Sequence, residues 1–319
     1  MVSETRLKKN IESKYEFKHV SCKLLSRARN MIYQVNNYGN KYIFKIYDPG
    51  NKELEEIQGE VELLVALNKR GSIVSFPIRD LEGNWIQKFN INKTTCYGVL
   101  FTFAEGKVYL KMTDKQLIML GRELAILHNI SCSLQLEHKL KEYTVSTLLI
   151  EPLNFIRPAF INLESDYSYL QEITNVIVSN LARLNLSRFD FGYIHGDLSP
   201  SNIHFDGDKK MTIFDFDLAG GGFIIQDIIG IYLHFFNLIR SGASTPEEAN
   251  HSYNIFFSSY EEIRKLSNDE IEALPYMAAM LFIYGIYFSY QYMDPKLFPK
   301  HLQDNLKRLK DWTSSPMFK

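Results

Sequence analysis

Apolar positions mark out the elements of this chain before any chemistry is considered. Leu7, Ile11, Tyr15 and Phe17 recur at helix-like spacing among mixed charges, which predicts a short helix within residues 4–17. Three β-rich runs follow, at 20–25, 31–35 and 42–46. Asn36-Asn37-Tyr38-Gly39-Asn40 joins the last two as a hairpin turn. Asp48-Pro49-Gly50 ends the third run, and the period then lengthens. Ile57, Val61, Leu64, Val65 and Leu67 share one side of a helix over about residues 52–69, with Gly71 as its C-terminal cap. Strands are expected again at 74–78, 85–89 and 97–103, with a turn at Leu81-Glu82-Gly83-Asn84.

From there the pattern turns helical. Thr113 and Gln116 read as a capping box opening a helix through 120–128. Residues 131–165 are mixed, with Pro152 and Pro158 breaking the helical pattern, and an amphipathic helix is expected over 167–186. Helices at 227–240, 246–265, 268–294 and 299–312 complete the chain; Ser244-Thr245-Pro246-Glu247 marks one start. A β-rich first third and a helical remainder predict an α+β fold, and 319 residues suffice for two domains or lobes.

Composition narrows the class. With a formal net charge of −1, no global field favours nucleic acid or an anionic membrane as partner. Aromatic residues reach 13%, enough to line pockets as well as a core. Cys22, Cys96 and Cys132 show no paired spacing, so neither a disulfide framework nor a zinc site is indicated. MVSETRLKKN lacks the apolar core of a signal peptide. The most apolar late run, 277–292, is interrupted by Gly285, Ser289 and Gln291 and is short for a membrane span. The expectation is a soluble cytoplasmic protein, monomer or homodimer.

The candidate chemistry sits in residues 193–217, YIHGDLSPSNIHFDGDKKMTIFDFD. Two apolar runs flank Asp206-Gly207-Asp208, which predicts a hairpin. Asp197 and Asn202 would hang on the loop before it, and Asp215 would end its second strand. Two carboxylates and an amide are hard oxygen donors, suited to a magnesium ion that also holds phosphates. In kinase-type phosphoryl transfer one Asp takes the acceptor hydroxyl's proton, while an Asn and a second Asp hold the metals.

HGDLSPSN…DFD resembles the HGDxHxxN…D motif of the aminoglycoside phosphotransferase and choline kinase-like family of small-molecule kinases. The chain departs from that pattern at Ser199, where a second His is usual, and at Ser201, where Gly is common. The resemblance implies a two-lobed, protein-kinase-like α+β fold. A small antiparallel β-rich lobe would span 1–104 and a helical catalytic and substrate-binding lobe 105–319. It implies ATP and Mg²⁺ as cofactors, Asp197 as catalytic base, and Asn202 and Asp215 as metal ligands. Tyr42-Ile43-Phe44-Lys45-Ile46-Tyr47 looks like the strand whose Lys pairs the α/β-phosphates and a helix Glu. Among Glu56, Glu60 and Glu62, Glu60 opens the run that matches the family's helix. The turn at 26–30 lacks the protein-kinase glycines, and the family's Ser/Asn-bearing loop points to Ser26 and Asn30. Residues 100–106 resemble the hinge between lobes, where the backbone of Thr102, Phe103 and Ala104 would bind adenine. Asp227 matches a family Asp at a helix start and is expected to cap or support the catalytic loop. His128, closing an apolar helix, is expected to be structural.

Residues 274–290 look like the late helix of type II homoserine kinases, whose region walls the acceptor pocket; Tyr284, Tyr287 and Tyr290 lie there. The function implied is transfer of the ATP γ-phosphate to a hydroxyl of a small molecule, an amino alcohol metabolite or a hydroxylated antibiotic. An aminoglycoside-specific resistance enzyme is the alternative; its polycationic substrate would want a strongly acidic cleft, and Asp269, Glu270 and Glu272 do not establish one. A protein kinase would be expected to carry Lys after the catalytic Asp, a DFG glycine and Ala-Pro-Glu, all missing here. A non-catalytic nucleotide-binding regulator would be expected to have lost Asp197 or a metal ligand, and neither is lost.

Overall fold

The computed structural model describes residues 4–91, 94–316 and 318. In chain order the first elements are α1 (Glu4–Lys14), β1 (Ser21–Arg27), β2 (Met31–Asn37), β3 (Asn40–Tyr47), α2 (Leu54–Lys69), β4 (Ile86–Ile91), β5 (Thr94–Thr102) and α3 (Asp114–Ser131). Next come β6 (Lys141–Tyr143), α4 (Glu151–Ile156), α5 (Glu164–Leu181), β7 (Phe191–Ile194), β8 (Ile203–Asp206), β9 (Lys210–Ile213) and β10 (Gly220–Phe223). The chain then continues as α6 (Ile225–Arg240), α7 (Pro246–Glu261), α8 (Asn268–Tyr292) and α9 (Phe298–Thr313). The α+β expectation holds.

Two compact units result, Met1–Leu140 with Pro200–Ala219, and Lys141–Ser199 with Gly220–Lys319. The division does not fall at 104/105, because the chain re-enters the first unit. Lys107 pairs with Phe205, and Val74 with Ile213, so α3 and the β8–β9 hairpin group with the N-terminal strands.

In the first unit five antiparallel strands run in the order β1-β2-β3-β5-β4. Leu7 and Ile11 of α1 are fully buried in one core with Tyr33, Val35, Phe44 and Leu100. Each such side chain stabilises by about 1.5–3 kcal/mol. The strand expected at 74–78 is instead a connector. Ser75 N–H bonds the Ile213 carbonyl, and Ile78 N–H bonds the Leu100 carbonyl, so the segment bridges β9 and β5 without pairing along either. The part of the 85–97 region at Asn92 and Lys93 lies outside the described residues.

The second unit holds a three-stranded sheet, β6-β10-β7, that the sequence did not announce. Gly220, Gly221 and Gly222 form most of β10. A Cβ on Gly220 would meet the Lys141 carbonyl at 2.5 Å, so these glycines serve close strand packing rather than loop freedom. Pro152 and Pro158 also behave differently from expectation. A π-helical turn at Ser146–Ile150 runs directly into α4, and α4 into a 3₁₀ turn at Arg157–Phe160, so each proline marks a change of helical pitch rather than a break. α8 is apolar and long enough, by composition and length, to cross a membrane. Half of its most apolar window is buried inside the fold, and the Trp312 indole of α9 donates to its Pro275 carbonyl at 2.9 Å.

Candidate active site

Lys45 lies on β3, whose last four residues are all buried, so it is no outward-facing strand lysine. Its Nζ is 3.1 Å from Glu60 Oε1 in the middle of α2, and Glu60 is 1% exposed. The Tyr47 hydroxyl donates to the same oxygen at 2.9 Å, and Lys52 pairs with the other. The neighbouring acids are spent elsewhere. Glu56 closes the α2 capping box onto Glu53 N–H, and Glu62 accepts from the Glu137 and His138 backbones.

The β8–β9 hairpin forms as expected, with Ile203 opposite Ile213. Just beyond it, Phe214 N–H donates to the Asn202 carbonyl at 3.0 Å, which fixes the backbone of the two expected metal ligands side by side. Asp215 then takes a left-handed conformation (φ 65°, ψ 59°). That conformation costs of order 1–3 kcal/mol, and Asp tolerates it better than most residues. It aims Oδ1 to 3.8 Å from Lys45 Nζ, with the Asp215 side chain half exposed. Asn202 is buried at 8%. Among the described residues no group of three His, Cys, Asp or Glu forms a metal cluster. One carboxylate and one amide fit a magnesium ion whose shell phosphate oxygens and water complete.

Asp217 is the residue whose importance the sequence reading missed. A single 3₁₀ turn at Phe216–Leu218 brings it back to the lysine, Oδ1 to Nζ 3.0 Å. Asn30 Nδ2 donates to the same carboxylate at 3.0 Å, Arg29 lies 3.9 Å away, and Lys52 Nζ donates to the Asp217 carbonyl at 3.0 Å. Burial pushes this carboxyl up, but Lys45, Lys52 and Arg29 overwhelm that and hold it far below the ordinary carboxylate range. Burial likewise opposes the Lys45 charge, and Asp217 and Glu60 more than restore it, so its ammonium stays charged well past the usual lysine value. The only advance signal was Asp217 itself, an acid two residues after Asp215.

Asn30 has both ends of its amide occupied, donating to Asp217 and accepting from Asp48 N–H at 3.2 Å, and so braces its turn. Ser26, at a bulge in β1, is exposed.

Beside Lys45 a cavity of about 340 Å³ opens, lined by Leu25, Ile32, Ile43 and Phe101 as well as Glu60 and Asp215. Thr102, Phe103, Ala104 and His204 also line it. Thr102 pairs with Tyr42 on β3, three residues from Lys45, which puts the two groups about 10 Å apart along the ladder. Thr102 has its N–H on the Phe76 carbonyl and its carbonyl on Ser75 Oγ. The Ala104 carbonyl accepts from His204 Nδ1 at 2.6 Å. An apolar slot with a charged end and backbone groups at the other suits a nucleotide.

Asp197 belongs to the second unit, exposed on the turn after β7. Asp227 of α6 accepts from His195 N–H at 2.8 Å and Gly196 N–H at 3.1 Å, so it supports this loop as expected of a helix-start acid. Asp197 N–H donates to His195 Nδ1 at 3.3 Å. A Cβ on Gly230 would sit 2.1 Å from the Leu198 carbonyl, so the loop packs directly on α6 backbone. His128 is fully buried on α3. In the same unit as Asp197, half-buried Tyr284, Tyr287 and Tyr290 form an aromatic row with Tyr143 and Phe155.

Comparison with known proteins bears on the family and the fold. The model of the phosphotransferase enzyme family (APH) matches residues 22–264. An uncharacterised protein of Synechocystis is 28% identical over 208 residues, 65% of this chain and 58% of its own length. A homoserine kinase of Sinorhizobium medicae is 26% identical over 246 residues, 74% of this chain and 68% of that enzyme. The solved amicoumacin kinase hAmiN, in complex with AMP-PNP, Ca²⁺ and Ami, superposes with a TM-score of 0.79 at 18% identity, covering 98% of this chain and 94% of that one. The kinase-like fold expected from the sequence is thus the fold observed.

Proposed function

The chain belongs to the APH phosphotransferase enzyme family of small-molecule kinases, and on that premise we propose that it moves the γ-phosphate of ATP to a hydroxyl of a small amino alcohol. The observation that carries the reading is the convergence of Glu60 and Asp215 on Lys45 Nζ, at 3.1 and 3.8 Å, beside an apolar cavity in the same unit. The homoserine kinase relative supports an amino alcohol as acceptor.

In this reading the base lies in the cavity against Phe103 and Ala104. Lys45, oriented by Glu60, holds the α- and β-phosphates. Asn202 and Asp215 would hold magnesium, which when bound would neutralise charge developing on the phosphates. Asp197 accepts the proton of the acceptor hydroxyl as its oxygen bonds to the γ-phosphorus. The bond from that phosphorus to the bridging β–γ oxygen breaks, and ADP leaves. Positioning and charge neutralisation carry most of the rate.

The test is ATP consumption by purified protein across homoserine, other amino alcohols, choline, aminoglycosides and a generic protein substrate. Turnover with an amino alcohol supports the reading. Turnover confined to aminoglycosides moves the enzyme to antibiotic modification, and phosphorylation of protein alone contradicts a small-molecule acceptor.

A further inference from the structure

We propose that Lys52 is a positioning residue for the phosphate end of the site: it holds Glu60 and the segment after Asp215 so that Lys45 is presented to a phosphate. The inference rests on the nucleotide reading of the cavity, which Lys45 lines. Lys52 sits in the connector between β3 and α2, two residues before α2 begins. Its side chain is only 7% exposed. Its Nζ pairs with Glu60 Oε2 and donates to the Asp217 carbonyl at 3.0 Å. It also lies 5.8 Å from the centre of the Tyr47 ring. An ammonium is buried only where fixed partners offset its lost hydration. Both acceptors here belong to residues that also grip Lys45.

Glu60 carries a lysine on each oxygen. Oε1 takes Lys45 at 3.1 Å and the Tyr47 hydroxyl at 2.9 Å, and Oε2 takes Lys52. Asp217 is tied at two points, its Oδ1 to Lys45 at 3.0 Å and its carbonyl to Lys52. Lys45 thus directs two of its three N–H groups at Glu60 and Asp217, which leaves the third for phosphate.

Removing the Lys52 charge changes this in two ways. Glu60 Oε2 loses its counter-charge inside the fold, and Lys45 becomes the lysine that both Glu60 oxygens attract, which draws its ammonium toward α2. The set of Lys45, Lys52 and Arg29 against Glu60, Asp215 and Asp217 also passes from balance to an excess of one negative charge. A triphosphate arriving at Lys45 meets that excess at short range. In the sequence Lys52 reads as one more charge ahead of a helix; its role depends on Asp217, 165 residues later, returning to it.

The experiment is calorimetric titration of the full chain with ATP plus magnesium, and separately with adenosine, for the parent, Lys52→Met, Lys52→Gln and Lys52→Arg, with a thermal melt of each. Met keeps much of the length and removes the charge. Gln removes the charge but keeps an amide donor. Lys52→Met and Lys52→Gln are expected to bind ATP about tenfold more weakly than the parent while adenosine affinity stays within about threefold, and Lys52→Arg to keep ATP affinity within about threefold. A lysine that only stabilised the fold would lower the melting temperature and leave the ATP affinity of the folded variants unchanged, and that result overturns the proposal. Equal weakening of ATP and adenosine overturns it too, since it shows general damage to the cavity. Should Lys52→Met not fold, Lys52→Gln carries the same outcomes; should neither fold, a tenfold loss of ATP affinity in Lys52→Arg is decisive against the proposal. A parent that binds no ATP refutes the nucleotide reading and this inference with it, a different result from a parent and a Lys52→Met variant that bind ATP equally well.

Discussion

Lys45 Nζ lies 3.0 Å from Asp217 Oδ1, as close as it lies to Glu60 Oε1 at 3.1 Å. The lysine expected to meet phosphate is therefore gripped by the sheet's own helix and by the segment after Asp215 together. Lys45, Lys52 and Arg29 face Glu60, Asp215 and Asp217, and the formal charges cancel. Removing one partner of such a buried set leaves the others uncompensated, at about 3–5 kcal/mol. Asp217→Ala should lower the melting temperature by roughly 5–10 °C. A thermal melt within about 1 °C of the parent would show that the contact holds nothing in place.

In the proposed mechanism the Asp197 carboxylate takes the acceptor hydroxyl's proton, so its loss should be felt in the rate. Asp197→Asn should cut kcat by about 10²–10⁴-fold while leaving ATP affinity unchanged. A thermal melt on the same sample should match the parent. A variant several degrees less stable with near-normal kcat would make Asp197 a turn residue.

Gly106 has φ +94°, and a Cβ there would lie 2.2 Å from the Phe205 carbonyl oxygen. Gly39 has φ +86° with nothing within 4 Å. Gly39→Ala should cost about 1–2 kcal/mol, the left-handed penalty alone. Gly106→Ala should cost clearly more, roughly 3 kcal/mol, because the bridge between Lys107 and Phe205 must shift. Urea denaturation of both variants measures the difference, and equal losses would contradict the close approach.

Glu123 of α3 accepts from Ser72 Oγ at 2.9 Å and Ile73 N–H at 2.6 Å. Burial pushes its carboxyl up, and those hydrogen bonds only partly offset the shift. With its folded pKa above the unfolded value, the native state binds the extra proton. Its contribution to stability is thus full below the unfolded pKa and falls as pH rises through the folded one. Glu123→Gln keeps the acceptor and removes the charge, so its stability should fall less than the parent's as pH rises above the ordinary glutamate range. Parallel curves for the two proteins would contradict this.

Much of the fold was legible because period and turn chemistry were clear. The capping box at Thr113, the hairpin around Gly207 and the helix carrying Glu60 appear where the pattern put them. The choice of Glu60 over Glu56 and Glu62 agrees with the ion pair observed. What escaped depended on tertiary partners. β10 is a glycine strand stabilised by neighbours on both sides, and residues 74–78 split their hydrogen bonds between β5 and β9. Asp217 and Lys52 matter only because the chain returns to Lys45 after a left-handed residue, a geometry no local pattern encodes.

The proposed magnesium–nucleotide site rests on Lys45, Asn202 and Asp215. The direct measurement is calorimetric titration with ATP, with and without magnesium, of the parent and of Asp215→Ala. The parent should bind more tightly with magnesium, and Asp215→Ala should lose that gain. Equal affinity of the parent with and without magnesium would contradict the account.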